Sequence, residues 1–417
     1  MSRPNETLRS KLIAWIDARL PMTRSFEQHL SKYYVPKNLN IWYIFGLLSM
    51  LMLINQLLSG VMLTMRYTPT VAGAFDSIQH IMRDVDMGWL MRYLHSTGAS
   101  MLFVVLYLHM LRGLLYGSYQ RPRELVWIIG MAMYVCLLAE AFCGYILPWG
   151  NLSYWGAKVV FSLPASIPYI GEPLANWLRG DYGVTGVTLS RCFALHIIAI
   201  PLLIGLLLWK HVVALHHVGS NNPDGIEIRA RLDAQGIPLD GIPLHPHYTR
   251  HHLVGVVVFL LVFLAIVFFF PEGGGYILEP ANNTPANLLQ TPAEITPAWY
   301  YTPFYAILRA IPSKFGGVLA LAGSIAVLFV LPWLDRSPVK SMRYKGIWSR
   351  LWLGILIISV IALGVLGLTP LDQPLIPQVK NQHLGQLFTL LYFLYFILMP
   401  FYSRYETCRT PPERVTG

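Results

Sequence analysis

The chain has 417 residues, of which 55% are hydrophobic and 12% charged, with a formal net charge of +10. Soluble domains carry about 25% charged residues, so this composition excludes an ordinary soluble globular protein. The basic excess is read as orientation in a membrane and contact with anionic lipid, not as nucleic-acid binding.

Taken in chain order, residues 1–38 are polar, basic and amphipathic, without the apolar core of a cleavable signal. They read as a segment lying on the membrane surface. Long apolar runs follow at 41–63, 97–115, 125–147, 193–215, 253–270, 316–334, 347–368 and 386–402. Each is near the ~20 residues that cross a bilayer as a helix. The expected fold is an all-α integral membrane protein with eight transmembrane helices. The organisation expected is a first four-helix region over 39–218, a polar connection over 219–252, a second four-helix region over 253–403 and a tail over 404–417. Two connections, 148–185 and 271–315, are long and mix Pro, Gly, Trp and Tyr; connections of that length are usually functional.

The N-terminus, 112–124, 210–252, 335–350 and the C-terminus hold 22 of the 31 Lys and Arg. The positive-inside rule puts these segments, and both termini, on the cytoplasmic side of a cell inner membrane. The two long loops then fall outside. Four cysteines, Cys136, Cys143, Cys192 and Cys408, form no C-x-x-C-H, so covalently attached haem is not expected.

His95 and His109 lie 14 residues apart on the second span, and His196 and His211 lie 15 apart on the fourth. Fourteen helical residues turn about 1400°, about 40° short of four turns, and rise ~21 Å. Each pair therefore shares one face of its helix, and both helices enter from the outer side. His95 then meets His196 near the outer surface, and His109 meets His211 near the inner one. Two non-covalent b-type haems, each held by two imidazoles, is the direct reading of the four iron ligands. Iron ligated in that way passes electrons and does not bind oxygen. Gly46 and Gly60, and Gly130 and Gly144, repeat the 14-residue spacing and would make room where a flat macrocycle meets backbone. Arg92, Arg112 and Arg191 lie near the expected haem levels as partners for propionates. The extra residue between His196 and His211 predicts a local irregularity, such as a π-bulge, between 197 and 210, where Pro201 also frees a carbonyl.

The stretch from Gly144 through Tyr145, Pro148, Trp149 and Gly150 to Ser153, Tyr154, Trp155 and Gly156 resembles the first quinol-site motif of cytochrome b. Pro297-Ala298-Trp299-Tyr300, followed by Tyr305 to Pro312, resembles its second motif. Leu215-His216, Gly219 to Pro223 and His245-Pro246 resemble its inner quinone region. The resemblance runs over about 25–403, with both histidine pairs and all four glycines in order. It implies the cytochrome b subunit of a bacterial-type quinol:cytochrome c oxidoreductase, respiratory complex III. The implied partners are a Rieske iron–sulfur protein and a cytochrome c-type subunit in a homodimeric complex. The implied substrate is ubiquinol, oxidised at an outer site between the two loops. One electron would go to the Rieske centre; the other would cross through the haems to reduce ubiquinone at an inner site, adding to a proton gradient. Phe142, Gly156, Pro297, Trp299 and Tyr305 are the expected outer quinone contacts, and His216, Ser220 and His252 the inner ones.

The family's second motif carries a glutamate that receives a quinol proton, where this chain has Ala298. The candidates to replace it are Glu294, if 291–296 forms a helical turn that brings it onto the face of Ala298, Glu140 in the third span, and Tyr145 or Tyr300 with water. Two other classes are weighed against this reading. A di-haem anchor of another quinone-linked dehydrogenase would share the histidines but lack the two loop motifs. A secondary transporter would not need four matched histidines.

Overall fold

A computed structural model describes residues 8–21, 23, 32–371 and 374–416. Among them are eight helices long and apolar enough to cross a membrane. In chain order the helices are α1 (Leu8–Asp17), α2 (Phe45–Thr64), α3 (Ala74–Arg83), α4 (Gly88–Tyr116), α5 (Glu124–Ile146), α6 (Asn151–Ser162), α7 (Gly171–Arg179) and α8 (Gly186–Val218). After them come α9 (Thr249–Phe269), α10 (Thr302–Ala310), α11 (Lys314–Leu334), α12 (Ile347–Leu368) and α13 (Asn381–Tyr405). The spans are α2, α4, α5, α8, α9, α11, α12 and α13, as the eight apolar runs predict. The second span begins nine residues before its apolar run, because the polar Arg92, His95 and Ser96 continue the helix inward from Gly88.

In the first half α2 packs on α4, and α5 packs on α8. One core cluster runs through both halves and includes Met52, Phe103, Tyr134, Leu363 and Tyr395. Side-chain donors tie the halves together: Trp127 Nε1 donates to the Leu328 carbonyl at 2.7 Å, and the Tyr107 hydroxyl to the Tyr300 carbonyl at 2.6 Å. The outward faces of the spans stay apolar and uncovered, as at Leu57, Leu58, Leu202, Leu253 and Leu261. Such continuous apolar exposure on helices of this length fits a hydrocarbon environment.

At one end of the bundle the segments grouped by their basic residues come together in a polar layer. β1 (Tyr34–Pro36) pairs antiparallel with β2 (Gly241–Pro243). Arg123 holds Glu227 through both guanidinium nitrogens, at 2.6 and 2.9 Å, and Lys340 joins them. Burial pushes the Glu227 carboxyl up, but Arg123 and Lys340 outweigh it and hold it below the ordinary carboxylate range. Asp224 accepts from Asn38, Tyr344 and Thr416, and Asp240 binds Lys37 and Arg414. The C-terminal tail is thus fastened to the connection before α9. The long loops share the opposite end, where Gly150 bridges to Pro285. In the expected surface segment, α1 exposes Leu8, Leu12 and Trp15; residues 1–7, 22 and 24–31 of that segment lie outside the described residues.

Candidate functional site

α4 and α8 bring the four histidines together in the expected pairs. The ring centroids of His95 and His196 are 6.1 Å apart, and those of His109 and His211 are 6.5 Å apart. A metal held between two imidazoles by bonds of about 2 Å sets their centroids roughly 6 Å apart. In the outer pair Nδ1 is already engaged. His95 Nδ1 lies 3.0 Å from Ser59 Oγ, and His196 Nδ1 lies 3.0 Å from both the carbonyl and a carboxylate oxygen of Glu140. That leaves Nε2 of each ring free to ligate a metal and fixes the ring orientation.

The glycines lie where their spacing predicts. A Cβ at Gly46 would come within 3.0 Å of His109, and one at Gly60 within 3.2 Å of His95. At Gly130 the distance to His211 would be 3.3 Å, and at Gly144 the distance to His196 would be 2.5 Å. Each histidine ring thus lies against the missing side chain of a glycine on the helix beside it. The extra residue in α8 is taken up by a π turn over Leu195–Ala199, in which Ile200 N–H donates to the Leu195 carbonyl five residues back. It starts two residues before the 197–210 stretch and ends two residues before Pro201. Arg112 reaches to 3.4 Å from His109 Nδ1, and its buried Nε has no hydrogen-bond partner among the described residues. An anionic substituent at that level would find a partner in Arg112 Nε, so the donor set and the cradle suit a haem.

A cavity of about 660 Å³ opens at the outer end. Its walls include His95, His196, Gly60 and Gly144, and also the loop residues Tyr145, Ala298 and Tyr300. The outer histidine pair and the two loop motifs therefore share one space. Tyr300 stacks on Phe103 at 4.0 Å, and Trp299 Nε1 donates to Ser100 at 3.2 Å, which pins the second motif to α4. Gly156 faces the Tyr145 ring, 3.8 Å from an added Cβ. Phe142 packs edge-on against Phe161, and the Tyr305 hydroxyl donates to the Ile295 carbonyl. Phe142, Gly156, Pro297, Trp299 and Tyr305 frame this end without being wall residues of the cavity.

Three expectations meet a different arrangement. Residues 291–298 are irregular chain, not a helical turn, and Glu294 is exposed and off the cavity wall. Pro292 and Pro297 bracket it, and a residue before proline is pushed out of the helical region. Glu140 is on the wall, with one carboxylate oxygen 3.0 Å from His196 Nδ1 and the other buried without a hydrogen-bond partner among the described residues. Arg191 donates to the Trp177 carbonyl beside Gly180, so the outer loop captures it away from the cavity. Arg92 does line the cavity.

A residue outside the sequence-derived set lies on the same wall. Glu279, at the foot of the second loop, accepts from Asn282 Nδ2 at 3.2 Å, and Asn282 Nδ2 also lies 3.1 Å from the Tyr145 hydroxyl. Burial raises the Glu279 carboxyl above the ordinary range against the pull of its hydrogen bonds and of Arg92. Nothing in the local sequence marks Glu279, because Arg92 and Tyr145, which face it, come from α4 and α5.

At the inner end His216 stacks on Tyr33 at 4.4 Å, with Ser220 beside the Tyr33 hydroxyl. The His252 ring lies 6.0 Å from that of Tyr248, which shares a buried cluster with Tyr33. The three predicted inner residues thus gather around two tyrosines, of which Tyr33 comes from the N-terminal segment.

The family model described as "Cytochrome b/b6/petB" matches residues 30–219, and the one described as "Cytochrome b(C-terminal)/b6/petD" matches 285–393. Cytochrome b of Allochromatium vinosum is 52% identical over 413 residues, covering 97% of this chain and 98% of the relative. Cytochrome b of Rickettsia prowazekii is 46% identical over 396 residues, covering 95% of each. A solved hyperthermophilic respiratory complex III contains a chain that superposes with a TM-score of 0.86 at 38% identity, covering 94% of this chain and 99% of that one.

Proposed function

The chain belongs to the cytochrome b family, and on that premise we propose that it is the electron-carrying membrane subunit of a quinol:cytochrome c oxidoreductase with two quinone sites. The family membership carries haem b and quinone binding with it, as part of a respiratory complex III. The observation that supports the finer reading is the pairing of His95 with His196 and of His109 with His211, each ring backed by a glycine.

His95 and His196 would hold an outer haem, and His109 and His211 an inner one. Bound there, the two groups supply one-electron carriers near opposite membrane faces. Everything else is work for the chain's own side chains. Ser59 and Glu140 hold the outer imidazoles in the ligating tautomer. Arg112 offers a buried cation to an anionic substituent near the inner pair, and Arg92 does so at the outer cavity. Tyr145, Ala298 and Tyr300 give the outer cavity the apolar, aromatic wall that a quinol ring needs, with few polar groups to orient it. His216, Ser220 and His252 give the inner site groups that donate hydrogen bonds and deliver protons from the cytoplasm. The four-helix region over 39–218 is the haem-binding unit, and the loops over 148–185 and 271–315 build the outer site. Both termini lie in the cytoplasm, and a Rieske protein and a cytochrome c-type subunit take up the remaining electron path in a dimeric complex.

The test is purification from the native membrane. The expected result is a b-type reduced-minus-oxidised spectrum, a co-purifying Rieske protein, and quinol-dependent reduction of cytochrome c. A preparation with no b-type absorbance would overturn the reading. One with b haems but no Rieske protein would turn it towards the anchor of another dehydrogenase.

A further inference from the structure

The outer site lacks the family's glutamate at Ala298, yet oxidation of a quinol there must release two protons. We propose that Glu279, on the wall of the outer cavity and linked through Asn282 to the Tyr145 hydroxyl, is the carboxylate that accepts a proton from bound quinol. The proposal rests on the function given above, which supplies the oxidants: a quinol O–H bond breaks, an O–H bond forms on the Glu279 carboxylate, and the electrons leave with the one-electron acceptors of the complex.

The geometry singles out Glu279 among the acidic residues of this end. Glu294 is exposed and off the cavity wall. Glu140 is on the wall with a second carboxylate oxygen unpartnered, but its first lies 3.0 Å from His196 Nδ1, and no hydrogen bond ties it to either loop motif among the described residues. Glu272 lines the cavity from the solvent side, where it is exposed. Glu279 alone combines a place on the wall with partial burial and hydrogen-bonded contact to the first loop motif. The hydrogen bond from Asn282 leaves a second carboxylate oxygen for substrate or one bridging water. Asn282 also accepts from Ser153 N–H at 2.7 Å, so the link is fixed to α6, which follows Gly150 and carries Gly156.

The charged and titratable groups facing Glu279 are Arg92 from α4, Tyr145 from α5, Tyr300 from the second motif, and Glu272 from its own loop. Arg92 stabilises the carboxylate, and burial favours its protonated form, so the group is poised to take a proton and give it up. Glu272 is exposed on the same wall, at the solvent side of the cavity.

The experiment uses the intact complex. Stopped-flow reduction of the b haems by quinol is followed between pH 5 and 9 in the unmodified protein, in Glu279→Gln, in Glu279→Asp, and in Glu279→Gln combined with Ala298→Glu. Dithionite-reduced spectra check that every variant holds its haems. We expect Glu279→Gln to slow quinol-driven reduction at least tenfold and to flatten its pH dependence. Glu279→Asp should fall between, and Ala298→Glu should restore most of the rate. A Glu279→Gln complex with wild-type rates overturns the proposal. So does a slow complex with an unaltered pH profile and no rescue by Ala298→Glu, because that pattern assigns Glu279 a structural role. Failure of the unmodified complex to reduce its b haems with quinol would instead overturn the function itself.

Discussion

Replacing the four haem-level glycines by alanine one at a time ranks them by geometry alone. A Cβ at Gly144 would stand 2.5 Å from His196 Cε1, 2.9 Å from Nδ1 and 3.0 Å from Nε2. Ordinary carbon contacts lie at about 3.5–4.0 Å, so the imidazole must retreat by about 1 Å. It cannot do so freely, because Nδ1 is held by Glu140 at 3.0 Å. A ligand site tolerates about 0.5 Å of displacement. Overpacking of this kind costs about 1–3 kcal/mol, which corresponds to roughly five- to 150-fold weaker haem retention. At Gly130 the nearest approach is 3.3 Å, to His211 Cε1, and a shift of a few tenths of an ångström relieves it. Gly144→Ala should therefore lose outer-haem absorbance first, Gly46→Ala should follow, and Gly60→Ala and Gly130→Ala should keep both haems. Haem content per complex and redox-difference spectra read the order. Full outer-haem retention in Gly144→Ala, with loss in Gly130→Ala, would refute the reasoning.

The remaining predictions concern α8, the inner site and the inner polar layer. Deleting Ile198 should convert the π turn at 195–199 into regular helix and restore a 14-residue spacing, so both haems should persist in the spectrum; loss of the inner haem would count against the register argument. His252→Ala should slow quinone reduction from the inner haem by about tenfold while the first outer-site turnover stays intact; an unchanged rate would remove His252 from the site. Glu227 has its carboxyl lowered in the folded chain, so its contribution is complete above its ordinary pKa and is lost as pH falls through the lowered value. Glu227→Gln should cost about 1–2 kcal/mol at pH 7, seen as a lower midpoint for thermal loss of haem absorbance, and the difference from wild type should close in acid below pH 4.5.

What the sequence makes legible follows helical arithmetic. The spacing of His95 and His109, and its repeat in the glycines, survives folding because a helix converts separation directly into depth and face. Basic residues group 112–124, 210–252 and 335–350, and the folded chain joins those same segments through Arg123, Glu227, Lys340 and Asp224. Loop positions do not propagate in that way. Glu294 fits a helical turn that Pro292 and Pro297 prevent. Arg191 stands at a plausible depth, yet the turn at Gly180 brings the Trp177 carbonyl to it first. Glu279 becomes visible only when Asn282 folds back against Tyr145, 137 residues away in sequence. Tyr33 joins His216 through the pairing of β1 with β2, which no local pattern announces.

The central claim is that two histidine pairs hold two separate electron carriers. Potentiometric titration of the b absorbance in the purified complex, in wild type and in His211→Leu, tests it most directly. The account predicts two waves in the wild type and one in the variant, with the surviving carrier still reducible by quinol at the outer site. Two undiminished waves in His211→Leu, or the loss of both, would contradict the pairing of His109 with His211.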